Sequence, residues 1–260
     1  MANSIDQSKI TLYRGSDEAG RFVWSPFVSK VEFRLRTSNT TYARATGSAA
    51  TGPKGKIPYV DVDTPGQVTT HLADSTLILK SLVKSELIKD VNAALSPAQR
   101  GIDLAIRGLL EEKLYFLQAH ERWIVNYESM RDHILAAVPL PQRLTVGEHV
   151  KANIANKLDL QGTGRFTYPE IREAIRDIWD GLSGLLEAAK ANAGEGEVFW
   201  VLGGLEPSEA DATVFGFAVS VLVVEAGPES KELVRHEFPV VVEYAKRIWE
   251  KWFEDYAFPV

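Results

Sequence analysis

Apolar and polar residues along this chain change their repeat once, from short runs before residue 88 to long helical stripes after residue 97. In the first part Ile10-Thr11-Leu12-Tyr13 alternates and is rich in β-formers, which predicts a strand. At Trp24-Ser25-Pro26-Phe27, Ser25 suits an N-cap and Pro26 the first helical position, so a short helix is predicted to open there. Val31, Phe33 and Leu35 resume a strand-like alternation. The segment from Lys54 to Val62 reads as a strand entered through a proline, with Ile57-Pro58 a candidate cis peptide bond. At Leu72 to Leu82, Asp74 and Ser75 precede an amphipathic helix.

The second part reads as helical throughout. Ile88 to Pro97 forms a connector, and Ser96-Pro97 starts the next helix, on which Ile102, Ile106, Leu109, Leu110 and Leu117 make one stripe. Thr167 and Glu170 form a capping box around Pro169, followed by Ile171, Ile175, Ile178, Leu182, Leu185 and Ala189 at near-helical spacing. After a loop from Ala191 to Glu197, Ser208 and Asp211 make a second box, which gives Asp211 a folding role. The helix they open, to Val224, is apolar nearly all round and is expected to be buried. Phe238-Pro239 then starts a last amphipathic helix, with Val241, Ala245, Ile248 and Trp252 along one face. The organisation expected is an α/β domain over 1–88, a linker over 89–97 and an all-helical domain over 98–260, with no internal repeat.

Composition narrows the chemistry. A length of 260 residues with 45% hydrophobic residues supports one or two packed domains. A net charge of -6 and no Lys/Arg-rich run exclude the electrostatic footprint of a nucleic-acid binder. Met1 to Asp6 has no signal-peptide core, and the longest apolar run, Val214 to Val224, contains Ser220 and is too short to span a bilayer, so a cytoplasmic protein without membrane insertion is expected. The chain contains no cysteine. Dithiol exchange, disulfide staples, thiolate metal ligands and cysteine nucleophiles are therefore excluded, and no metal is expected. Any sulfur chemistry must come from a bound small thiol.

Ser25 can do one of two things. It can cap its helix, or its hydroxyl, with the free N–H groups and the positive end of the helix dipole, can hold a thiolate, a phosphate or a carboxylate. The order strand, helix, strand, X-Pro, strand, Asp-Ser, helix resembles a thioredoxin-like domain, and the chain resembles a glutathione transferase over nearly its whole length. Ser25-Pro26-Phe27-Val28 with Val31 and Leu35 resembles the Ser-Pro-Phe opening of plant tau-class transferases. The same opening continued through Glu32 and Arg36 to Tyr42, together with Gln161 to Phe166 and Asp211 to Gly216, is similar to the failed-axon-connections and metaxin-related branch. Val28 stands where many members of that branch carry cysteine, so a thiol activity of that branch does not transfer.

The resemblance implies an α/β thioredoxin-like N-terminal domain, an all-α C-terminal domain and a homodimer. It implies that Asp74 and Ser75 receive the γ-glutamyl end of glutathione. Ile57, ahead of Pro58, would pair with the cysteinyl unit, and Lys56, with Lys54 as an equal candidate, would reach the glycyl carboxylate. Ser25 is then the catalytic thiolate donor and Tyr13 the second choice. Tyr115 and Trp123, on the long helix with Phe116 and Tyr127, are the pocket residues singled out for a small hydrophobic electrophile, and the loop from Gly15 to Trp24 is placed to cover it. No motif pairs Ser25 with His71, His120, His133, His149 or His236. Three functions stay open: a glutathione S-transferase, a glutathione-dependent cis-trans isomerase of a conjugated alkene, and a non-catalytic transferase-like interaction protein.

Overall fold

The computed structural model describes residues 8–16 and 18–259; the polar start read above, Met1 to Asp6, lies outside the described residues. Four strands, β1 (Lys9–Tyr13), β2 (Tyr42–Ala45), β3 (Tyr59–Asp63) and β4 (Thr70–Ala73), form a mixed sheet in the order β2-β1-β3-β4. β1 runs parallel to β2 and antiparallel to β3, and β3 runs antiparallel to β4. Helices α1 (Pro26–Thr37) and α2 (Ser75–Lys84) cover one face. Ile10 and Leu12 point into that layer, with Val60, Val62, Ile78, Leu79 and Leu82. Alternation in β1 leaves Tyr13 on the other face, stacked on Tyr59 at 4.3 Å between ring centroids.

Ser96 opens the helical region with a complete capping box. From Pro97 to Val125 the backbone stays helical without a break: α3 (Pro97–Gly108) leads into a π-helical stretch at Leu109–Leu114, then α4 (Tyr115–His120), then a second π stretch at Glu121–Val125. There follow α5 (Tyr127–Ile134), α6 (Leu140–Gln161), α7 (Tyr168–Ala191), α8 (Glu209–Val223), α9 (Pro228–Glu237) and α10 (Pro239–Trp252). Both capping boxes read from the sequence are formed, at Thr167/Glu170 and Ser208/Asp211. α8 is buried along nearly its whole length, and Asp211 takes hydrogen bonds from Val201 N, Ser208 and Tyr244. Burial raises its carboxyl to about 6 against the pull of those donors. No single helix among the described residues is long and apolar enough to cross a membrane.

Several expectations need correction. Val31, Phe33 and Leu35 are helical, because α1 continues to Thr37. Their alternation with Lys30, Glu32 and Arg34 imitated a strand, yet all six are buried. Val31 and Leu35 face the sheet, whereas Phe33 faces the helical core against Phe215. The intervening charges each face an opposite charge from another element, although Glu32 Oε2 and Arg34 Nη1 make no hydrogen bond. Lys30 Nζ lies 2.7 Å from Glu111, Arg34 Nε lies 2.9 Å from Glu209, and Glu32 accepts from Tyr256 at 2.7 Å and faces Arg14 at 3.4 Å. The real second strand is Tyr42–Ala45, a short segment that carries one hydrophobic contact to the core through Tyr42. β3 begins at Tyr59, after Lys54, and β4 was not read from the sequence. On the helical stripes, Ile102, Leu109 and Leu185 turn out to solvent, while Trp179 and Leu186 face inward.

The tightest seam in the molecule is that of α1 on α8. Gly216 lies so close to the first turn of α1 that an added Cβ would strike the Pro26 carbonyl oxygen and come within 3.1 Å of Lys30 N. Backbone atoms cannot move aside as a flexible side chain can, so the seam needs the hydrogen atom that glycine provides. We predict that Gly216→Ala lowers unfolding stability by about 1–3 kcal/mol in a denaturant titration, the usual range for overpacking a core. An unchanged midpoint would show that the seam is looser than described.

Candidate functional site

A cleft of about 630 Å³ opens where the N-terminus of α1, the loop before it, the turn ahead of β3 and the helix from α4 through its second π stretch converge. Ser25, Lys56, Ile57, Tyr115 and Trp123, all read from the sequence, line it together. Ser25 is the N-cap of α1, with extended backbone (φ -81°, ψ 117°), but its side chain makes no capping hydrogen bond. Pro26 contributes no N–H to the first turn, so the donors facing out of the helix mouth begin at Phe27. The hydroxyl is half-buried at the cleft wall, beside the positive end of a helix.

Asp74 caps α2 by accepting from Leu77 N at 3.3 Å, and its second oxygen pairs with Lys56 Nζ at 2.7 Å. Burial works against its charge, but the Lys56 ammonium and the Leu77 N–H outweigh that and hold the carboxyl below its ordinary value. Its backbone is unusual, with φ 80° and ψ 121°, a conformation that glycine adopts with ease and aspartate does not. Ser75 follows, buried in the first turn of α2. Ile57-Pro58 is cis, and the β3 ladder begins only at Tyr59, so the Ile57 backbone groups lie ahead of the sheet at the cleft rim.

Tyr13 sits elsewhere. It is outside the cleft lining, and its hydroxyl donates to Asp61 at 2.9 Å, a bond that with burial and the Asp61 charge raises its pKa. Lys54 lines the cleft with Lys56. Tyr115 packs edge-on to Phe27 at 5.2 Å, Phe116 joins it in the wall, and Tyr127 packs away from the cleft against Lys151 and Gly147. Burial raises the Tyr115 hydroxyl pKa, with Arg122 and Lys56 opposing. The Gly15 to Trp24 loop supplies Gly15, Ser16, Val23 and Trp24 to the lining, while Phe22 pins it into the helical core against Phe253 and Tyr256.

Several lining residues escaped the sequence reading, Arg122 and His133 among them. Arg122 lies within the second π stretch, and His133 on α5 stacks flat on Trp24, 3.5 Å between ring centroids. Neither belongs to a local motif. Arg122 shares a helix face with Ala119 and Trp123 by ordinary i, i+3, i+4 spacing, but a charged residue on such a face carries no apolar signal to announce a site. Among the described residues no group of three or more His, Asp or Glu side chains is placed to hold a metal ion.

Residues 26–130 match the family described as the glutathione S-transferase N-terminal domain. The whole chain is similar in fold to glutathione transferase GSTFuA3 from Phanerochaete chrysosporium, at 15% identity and a TM-score of 0.59 over 98% of this chain and 99% of that one. It is similar to Ure2p in complex with glutathione, at 12% identity and a TM-score of 0.56 over 96% and 98% of the two chains. A glutathione transferase family member from Pseudomonas fluorescens pf-5, solved with two glutathione bound, matches at 15% identity and a TM-score of 0.54 over 97% and 92%.

Burial lowers the His133 pKa from its ordinary value and favours the neutral ring against Trp24, with Glu18 and Glu225 opposing. We predict an NMR titration midpoint for His133 below 6.5 that rises toward 6.5 in Trp24→Ala, where water reaches the ring. A midpoint at or above 6.5 in the unaltered protein would contradict the packing.

Proposed function

We propose that this chain, which has the fold of the glutathione transferase superfamily, binds glutathione along its cleft and uses the Ser25 hydroxyl to keep the glutathione thiol ionised for attack on a small electrophile. The observation that carries the reading is the state of Ser25. A serine in the cap position would ordinarily turn its oxygen onto the helix, whereas this one leaves it free at the cleft wall.

The chemistry required is modest. A thiol with a pKa of about 8.5 is only a few per cent ionised at neutral pH. A hydroxyl donating to the sulfur, with the helix mouth behind it, each worth about 0.5–2 kcal/mol to an anion, lowers that by roughly one to two units at about 1.4 kcal/mol per unit. Ser25 donates its hydrogen bond and stays uncharged. The thiol proton leaves to water, and sulfur bonds to carbon as a leaving group departs with its electron pair or, at a conjugated alkene, as the π pair shifts to the neighbouring carbon, which then takes a proton from water.

The remaining parts fit the ends of the tripeptide. Asp74 suits its ammonium, the buried start of α2 with Ser75 suits the γ-glutamyl carboxylate, and Ile57 offers backbone groups to the cysteinyl unit, as an added strand would. Lys56 suits the glycyl carboxylate. Lys56 and Asp74 already pair with one another, so glutathione exchanges one half-exposed ion pair for two. The strained Asp74 backbone supports the same reading, since a glycine there would relieve the strain and lose the carboxylate.

Calorimetric titration with glutathione is expected to show Asp74→Ala binding about tenfold to a hundredfold more weakly, the worth of a charge-assisted hydrogen bond. Ser25→Ala should bind within about threefold of wild type, because the serine acts on the thiol alone. Absence of glutathione binding by the wild type would favour a non-catalytic interaction protein. If glutathione binds, a conjugate that accumulates with a conjugated alkene identifies a transferase, and glutathione recovered with an isomerised alkene identifies an isomerase.

A further inference from the structure

Arg122 is the least conventional charge in the molecule. Its side chain is 7% exposed and lines the cleft, yet among the described residues no carboxylate forms an ion pair with it. Nη2 donates to the neutral Gln118 Oε1 at 3.2 Å and to Ser220 Oγ at 3.4 Å, and Nε has no hydrogen-bond partner. The neighbouring carboxylate, Glu121, is hydrogen-bonded elsewhere, accepting from the Ser230 N–H at 3.0 Å and from the Ser230 hydroxyl, and supports the Arg122 charge only through space. A buried cation without a counter-ion is unfavourable by several kcal/mol, which is why such groups pair or disappear from cores. Burial pulls this guanidinium down to about 10, so it still carries its charge at neutral pH.

The rest of the lining agrees. Lys54, Lys56 and Lys157 also face the cleft, and among the described residues no aspartate or glutamate lines it, although the chain as a whole is acidic at -6. Arg122 and Lys56 both act on the Tyr115 hydroxyl, while Asp74 lies outside the cleft lining. Arg122 touches Ser220, whose hydroxyl donates to the Trp24 carbonyl at 2.7 Å, so it is held beside the residue that precedes Ser25, among the aromatic side chains of the wall. We infer that Arg122 receives an anionic group on the second substrate, so that the cleft takes a small apolar acid, a carboxylate with a hydrophobic body, in preference to its uncharged counterpart. Nε is shut off from solvent and Nη2 is held by Gln118 and Ser220, so Nη1 is the guanidinium donor left for a charge-assisted bond to a carboxylate.

This inference rests on reading the cleft as the electrophile site, but its test runs without glutathione, so the two readings fail separately. The probes are trans-cinnamate and its uncharged amide, cinnamamide, followed by quenching of tryptophan fluorescence. Wild type is expected to bind cinnamate roughly tenfold to a hundredfold more tightly than cinnamamide. In Arg122→Met that preference should vanish through a loss on the acid alone, with cinnamamide and glutathione affinities held within about twofold and thermal stability held or raised, as for removal of an unpaired buried charge. Equal wild-type affinities for acid and amide, or binding of neither, overturn the inference even if Arg122→Met fails to fold. A variant that loses glutathione affinity and keeps its preference for cinnamate would assign Arg122 to the tripeptide and overturn it too.

Discussion

The contact of α1 with α8 governs this structure. α1 lies between the sheet and the helical core, so its side chains must satisfy two apolar layers and a set of buried charges at once. Val31 and Leu35 answer to the sheet and Phe33 to Phe215, while Lys30, Glu32 and Arg34 each find a partner from another element. Glu111 ties the arrangement together, since it accepts from Lys30 at 2.7 Å and from Thr213 of α8 at 2.8 Å. Removal of one member would leave a buried charge uncompensated, a change that typically destabilises by about 3–5 kcal/mol. The position of the α1 N-terminus, and with it the Ser25 hydroxyl, is fixed by backbone contact at Gly216.

The cleft inherits that rigidity on one side and a distorted helix on the other. From Pro97 to Val125 the chain is a single helix twice widened into π turns, and the residues that face the cleft come from the second widening and the turn before it. Ser220 joins the two sides, since it bonds both Arg122 and the carbonyl of Trp24. The segment that leads into Ser25 and the buried guanidinium are thus tied to one hydroxyl from α8. Polar groups with fixed positions in a partly dry cleft act on developing charge without reorganising, which is the condition under which modest hydrogen bonds matter to reactivity.

Much of this was legible in the sequence, for identifiable reasons. Cap and turn chemistry is local, so Ser25-Pro26, Ile57-Pro58, Asp74-Ser75, Ser96-Pro97 and the two capping boxes all sit where the residues placed them. The length of α1 was misread because a helix buried on every side has no polar face, and its charges fell on alternate positions by the demands of tertiary pairing. β2 and β4 are four-residue strands, too short to establish a period. Arg122 and His133 were invisible for a different reason: their meaning lies in what surrounds them, a guanidinium held by neutral groups and a ring laid on Trp24, and neither is written in neighbouring residues. Tyr13 had the right residue type at a strand end, but alternation turned it to the other face of the sheet and onto Asp61.

The central claim is that an uncommitted serine hydroxyl at a helix mouth keeps a borrowed thiol deprotonated. Ultraviolet absorbance of bound glutathione thiolate, followed across pH at saturation in wild type and Ser25→Ala, tests it most directly. The account predicts a wild-type midpoint roughly one to two units below the free value of about 8.5, returning toward that value in the variant. A wild-type midpoint at the free value, or the same lowered midpoint in both proteins, would contradict it.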